Sequence, residues 1–144
     1  MSGFGNTFRK TLNEYVFRGG TLTQTHIWVS LHTGDPGVDG QTANEVSTSG
    51  TAYARYDSTN NSTFWAAAST ADPSTIANAQ AFTFPTATGS GWGTVTHFGL
   101  WNSSSATAAA NFIGAAPLSA SQAIAAGNTA SFATGALVHS FDSV

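Results

Sequence analysis

Two periodicities divide this chain. Over Asn6–Arg18 the apolar residues fall at Phe8, Leu12, Tyr15 and Val16, the i, i+4, i+7, i+8 stripe of an amphipathic helix. Asn6 or Thr7 offers a capping oxygen at its start, and Gly19 and Gly20 supply the stop. Beyond Gly20 the period becomes two. His26–His32 sets Ile27, Val29 and Leu31 on one face against His26, Trp28, Ser30 and His32 on the other. Pro36 and Gly37 end that strand with turn chemistry, and a polar loop runs on to about Gly50.

Further strands are expected over residues 52–57, 76–84, 93–101, 111–118 and 129–141, set apart by turn-forming residues. Residues 119–126 read as a strand-loop that turns at Gly127 and Asn128. Residues 58–75 read as irregular chain whose Phe64 and Trp65 need somewhere to bury. Strands in series behind one helix predict a mainly β fold, an antiparallel β-sandwich with one short N-terminal α-helix. The expected division is a helix or arm over residues 1–20 and a single β-sandwich domain over residues 21–144.

Composition adds an unusual surface. Charged residues make up 8% of the 144, where an ordinary domain carries about a quarter. Between Arg55 and Val144 there is no Lys or Arg, and the only carboxylates are Asp57, Asp72 and Asp142. Charge keeps protein surfaces apart, so a chain that omits it is expected to lie against other protein. With 41% hydrophobic and 12% aromatic residues the composition is globular, not disordered. There is no cysteine, hence no disulfide, thiolate site or cysteine nucleophile. A net charge of −3 leaves no basic footprint for nucleic acid. No apolar run approaches the roughly 20 residues of a membrane span, and no secretory leader is visible at the N-terminus. Neither nucleic acid nor membrane is expected as a partner, and synthesis is expected in a cytoplasm.

Candidate chemistry is sparse. No Gly-x-Ser-x-Gly elbow accompanies the serines and four histidines. Asp35, Asp39 and Glu45 are the only carboxylate cluster; turn chemistry at Pro36 accounts for Asp35, and the spacing is not that of an EF-hand loop. His26 and His32 share a strand face while His97 and His139 lie on other strands, with no converging zinc set. Trp28, Trp65, Trp92 and Trp101 suit either a sugar-stacking platform or a core and interface, and the latter is favoured where charge is so scarce. No catalytic residue, cofactor or metal is assigned, and no enzymatic activity is expected.

Three of the four basic residues, Arg9, Lys10 and Arg18, lie on the helix. Either they are solvated on an element that covers the protein's own core, or the helix is a basic docking element.

The order of several short motifs resembles a family of small tailed-bacteriophage virion proteins, head-decoration or tail-fibre-like. They are the N-terminal amphipathic helix, the segment from Trp28 to Gly37, Asn44-Glu45-Val46 and Tyr53-Ala54-Arg55. Then follow Phe84-Pro85-Thr86, the run from Trp92 to Trp101, and the late stretch from Gly127 to Val138. The resemblance implies an oligomeric, non-enzymatic virion part assembled in the cytoplasm of a bacterial host. The expectation is a capsid decoration (cement) protein, a homotrimer clamping the major capsid protein lattice. The alternatives are a tail-fibre, tail-tip or adaptor subunit bound to tail proteins, or a carbohydrate-binding host-attachment module. Candidate partner contacts are Phe8, Arg9, Lys10 and Arg18 on the helix, Asp35, Asp39 and Glu45 in the loop, and Trp92 and Trp101.

Overall fold

The structure is a computed structural model that describes residues 3–141, so the first two residues of the expected arm and the last three of the expected β-sandwich domain, Asp142 among them, fall outside the described residues. Its elements are β1 (Gly3–Phe4), α1 (Asn6–Arg18), β2 (His26–His32), β3 (Tyr56–Thr59), β4 (Ser74–Ala77), β5 (Phe82–Thr86), β6 (Gly93–Trp101), β7 (Phe112–Ile124), β8 (Thr129–Phe132) and β9 (Val138–Phe141). A five-stranded antiparallel sheet runs β1-β7-β6-β2-β3, and two antiparallel ribbons, β4-β9 and β5-β8, complete the strand set. The fold is mainly β with one helix.

Cross-strand register explains where the core forms. Leu31 faces Phe98 and Val29 faces Leu100, which places four apolar side chains on one face of the sheet. The ribbons pack over that face through aromatic contacts. Phe98 meets Phe132 edge-on at 6.0 Å, and Tyr56 stacks on Phe82 at 4.6 Å. Trp65, from the irregular segment, meets Phe82 edge-on at 5.5 Å and is buried there. Each fully buried Phe, Leu or Val contributes roughly 1.5–3 kcal/mol. The register shift between Val95 and His97 re-phases β6, so that Val95 joins Phe98 in the core despite their odd spacing. Opposite that irregularity β7 bulges after Pro117, a residue with no N–H to give to a ladder.

Several strand expectations need correction. The expected strand over 52–57 starts late, because Tyr53 and Arg55 turn their side chains inward to Glu45 and pairing with β2 begins at Tyr56. The expected strand over 76–84 breaks into β4 and β5, and that over 129–141 into β8 and β9. One residue accounts for both breaks. Asn78 is 1% exposed; its Nδ2 donates to the carbonyls of Gln80 and Ala133, and its Oδ1 accepts from the Leu137 N–H. Its own carbonyl takes the N–H of Gly135, which sits at φ 77°. A buried amide thus does locally what a ladder would do and turns the chain between ribbons. The strand-loop expected over 119–126 is instead the far end of β7, which continues to Ile124.

Candidate interaction surface

Helix α1 is held at one end and bare at the other. It starts at Gly5, not at a side-chain cap: a Cβ there would lie 2.7 Å from Phe112 and 2.9 Å from the Val38 carbonyl. Asn6 instead accepts from Arg9 and donates to Asp39. Phe8, half-buried, packs on Phe4 at 5.0 Å and joins the core. Gly19 ends the helix at φ 68°, and the Gly20 N–H returns to the Glu14 carbonyl. The second half of the apolar stripe is uncovered: Tyr15 is 50% exposed and Val16 65%, and beside them Phe17, off the stripe, is 81% exposed and Leu22 40%. The helix therefore covers the core with its first half only.

Charges flank this bare end. Lys10 reaches Glu14 at 2.7 Å and Arg18 lies 4.0 Å from it, on an exposed surface where water and salt screen such pairs. The hydrogen bond and charge of Lys10 lower the Glu14 pKa. Arg9, Lys10 and Arg18 are all exposed.

The loop after β2 is tied down. Asp35 accepts the Gly37 N–H at 2.8 Å, the turn expected of Asp before Pro. Asp39 receives Asn6 Nδ2 at 3.3 Å, and the Val38 carbonyl takes the Asn6 N–H, which fastens the loop to the start of α1. Glu45 turns inward. Its carboxylate takes both prongs of Arg55, Nε at 2.8 Å and Nη2 at 2.7 Å, with side chains 12% and 3% exposed. Arg55 Nη1 also donates to the carbonyls of Ser103 and Ala106, and the guanidinium lies 4.0 Å from the centre of the Trp101 ring. The Tyr53 hydroxyl donates to Glu45 and accepts from the Leu31 N–H. Burial, then the Glu45 charge, raises the Tyr53 pKa well above its ordinary range.

On the same face of the sheet Trp101 Nε1 donates to Ser30 Oγ at 2.8 Å, and Ser30 lies 2.7 Å from His32 Nε2. Gly99 leaves the room: a Cβ there would be 2.6 Å from Ser30 Oγ. Burial pushes the His32 pKa down to about 4, so the ring is neutral near pH 7. This hydroxyl–imidazole pair has the composition of a nucleophile and base but not the setting. Ser30 and His32 are 0% exposed, and His32 Nδ1 has no hydrogen-bond partner to orient it. It is a satisfied, desolvated packing network apart from that one nitrogen.

Trp92 and Trp101, assigned to partner contacts from the sequence, are 4% and 0% exposed and present no face to a partner. Trp92 donates to the Thr51 carbonyl and meets Tyr53 edge-on, so both rings are consumed by the core. Glu45 is likewise committed to Arg55, whereas Arg9, Lys10, Arg18, Asp35 and Asp39 remain at the surface and Phe8 is shared between core and rim. The family described as podophage GP4 fiber I protein gp80 matches residues 3–140. The chain belongs to this fibre protein family. No curated protein matches it.

Membership in the podophage fiber I family makes the chain a phage virion component with a structural role. The fold leaves little of a sugar platform: Trp65, Trp92 and Trp101 are buried, and of the four tryptophans only Trp28 is partly exposed, stacked beside His26 at 6.0 Å. Among the described residues no group of three or more His, Cys, Asp or Glu is placed to hold a metal ion. Two features escaped the sequence reading. Arg55 was identifiable as the one basic residue off the helix, which in so uncharged a chain points to a specific partner. Phe17 breaks the helical stripe, and its exposure had no local signal beyond that break.

Proposed function

We propose that this protein is a non-enzymatic subunit of a phage tail fibre, working as a homo-oligomer joined to other tail proteins. The observation that carries the reading is the fiber I family match across residues 3–140. The structure supports it in two ways. The polar pairs Glu45–Arg55 and Ser30–His32 are buried and mutually engaged, as structural pairs are. Its bare apolar helix end suits a subunit that lies against other protein. The part is made in the host cytoplasm and ends in the virion. Copy number tests this against the capsid-decoration alternative. Quantitative densitometry of purified virions is expected to give a few to a few dozen copies per particle. Hundreds of copies, on the scale of the major capsid protein, overturn the fibre assignment.

A further inference from the structure

Strand β7 leaves its ladder part-way along. Its register on β6 sets His97 opposite Pro117 and Val95 opposite Gln122, so residues 118–121 of β7 stand against Thr96 alone. The other edge of β7 pairs with β1 only at Gly114 and Ala115. Among the described residues, 118–121 therefore have no ladder partner on either side. Strand β8 is in a similar state, paired with β5 along one edge and with no strand along the other.

Between these two strands lies an open groove of about 710 Å³. Residues 117–120 line one wall and residues 129–132 the other, each as a consecutive run. Successive side chains of a strand point to opposite faces, so a consecutive run means that the strand meets the groove edge-on. The walls accordingly offer backbone N–H and C=O groups and the hydroxyls of Ser119 and Ser131, over an apolar floor of Leu31, Val95 and Phe98. No charged side chain lines the groove. Free edges are ordinarily blunted by Lys or by an inward charge, yet between Asp72 and Asp142 the sequence holds no Lys, Arg, Asp or Glu. A bulge can also blunt an edge, but this one opens on a recess with a buried apolar floor.

We propose that this groove takes an extended, uncharged segment of a different tail protein, inserted as a strand between β7 and β8. Backbone hydrogen bonds to the two edges hold it, and alternate side chains reach the apolar floor. Four paired residues span about 13 Å, the length of one wall. The chemistry of the walls selects this occupant. An extended peptide presents N–H and C=O groups along both its edges, which is what two unpaired strand edges lack. A charged segment would lose its water there without gaining a partner. A second copy could supply such a strand only by breaking one, because every strand of the described chain is already paired. Insertion joins the five-stranded sheet to the β5-β8 ribbon. The proposal rests on the fibre-subunit reading for the source of the strand; the peptide measurement below is independent of it.

The test uses the full chain and a terminally blocked peptide of about six residues that alternates valine and threonine. In a nuclear magnetic resonance titration the amides of residues 118–121 and 129–132 are expected to shift, and their hydrogen exchange to slow about tenfold or more. Methylating alternate peptide nitrogens keeps the side chains and removes donors, and is expected to weaken binding about 30-fold or more. Ser119→Lys and Ser131→Lys, one on each wall and both exposed, are expected to weaken it as much while near-ultraviolet circular dichroism stays unchanged. In virions, Ser119→Cys carries a photo-cross-linker at a unique position, since the chain has no cysteine of its own. It is expected to join to an uncharged segment of a different tail protein. The proposal is overturned by a peptide that does not bind, by a methylated form or a folded wall variant that binds as well as the original, or by cross-links only to a second copy or within the chain. Peptide binding together with hundreds of copies per virion supports the slot and overturns the fibre reading instead.

Discussion

Neutralising Glu45 by Glu45→Gln keeps the side chain's shape and removes the anion from a desolvated pair. The Arg55 guanidinium then stays buried at 3% side-chain exposure with only the carbonyls of Ser103 and Ala106, the Trp101 ring and a neutral amide for company. Breaking one side of a buried pair costs about 3–5 kcal/mol, because the remaining charge loses its compensation while still out of water. Against a total stability of about 5–15 kcal/mol that is a large fraction. For a chain of this length it corresponds to a fall in Tm of roughly 10–15 °C. Urea unfolding followed by tryptophan fluorescence measures it, since Trp101 lies under the guanidinium. The paired replacement Glu45→Leu with Arg55→Met removes both charges together. It is expected to be less destabilised than Glu45→Gln alone, since neither charge is then left uncompensated. A loss under about 1 kcal/mol for Glu45→Gln would falsify the claim that this pair is desolvated. A double variant whose cost equals the sum of Glu45→Leu and Arg55→Met taken singly would show that the two side chains do not act as a pair.

Further outcomes follow from the same interior. Burial lowers the pKa of His32 to about 4 and also lowers that of His139, so the folded state holds both rings neutral where the unfolded chain binds protons. Stability is then fully present above about pH 6.5 and declines as pH falls toward 4, His32 alone contributing a loss on the order of 3 kcal/mol. Thermal scans from pH 7 to pH 4 check this, and a flat profile counts against the buried neutral rings. Gly99→Ala places a methyl 2.6 Å from Ser30 Oγ and 2.9 Å from His32 Nε2 and is expected to cost about 1–3 kcal/mol in denaturant unfolding. Asn78→Ala strands the Leu137 N–H and the carbonyls of Gln80 and Ala133, an expected loss of about 2–4 kcal/mol; a crystal structure of the variant with both corners intact and unchanged stability would contradict its assigned role.

The sequence by itself determined what depends on neighbours along the chain. Helix α1 begins and ends at the residues its stripe and its glycines mark, and β2 and β6 occupy the alternating runs around His26–His32 and Gly93–Trp101. Turn chemistry at Asp35 and the apolar alternation of β2 are of the same kind, because each is fixed by φ, ψ preference or by a period of two within a few residues. The tertiary structure decided everything that needs two distant segments. Nothing near Asn78 announces that its amide will hold Ala133 and Leu137, yet that bond set cuts two expected strands into four. Trp92 and Trp101 look alike from the sequence whether they face a partner or the core, and only the placement of Tyr53 and Arg55 buries them. Tyr15 and Val16 carry the inward phase of an amphipathic helix but lie bare, because the body they would cover ends beneath the first half of α1. A residue's face is a local property; whether another surface of the same chain meets that face is not.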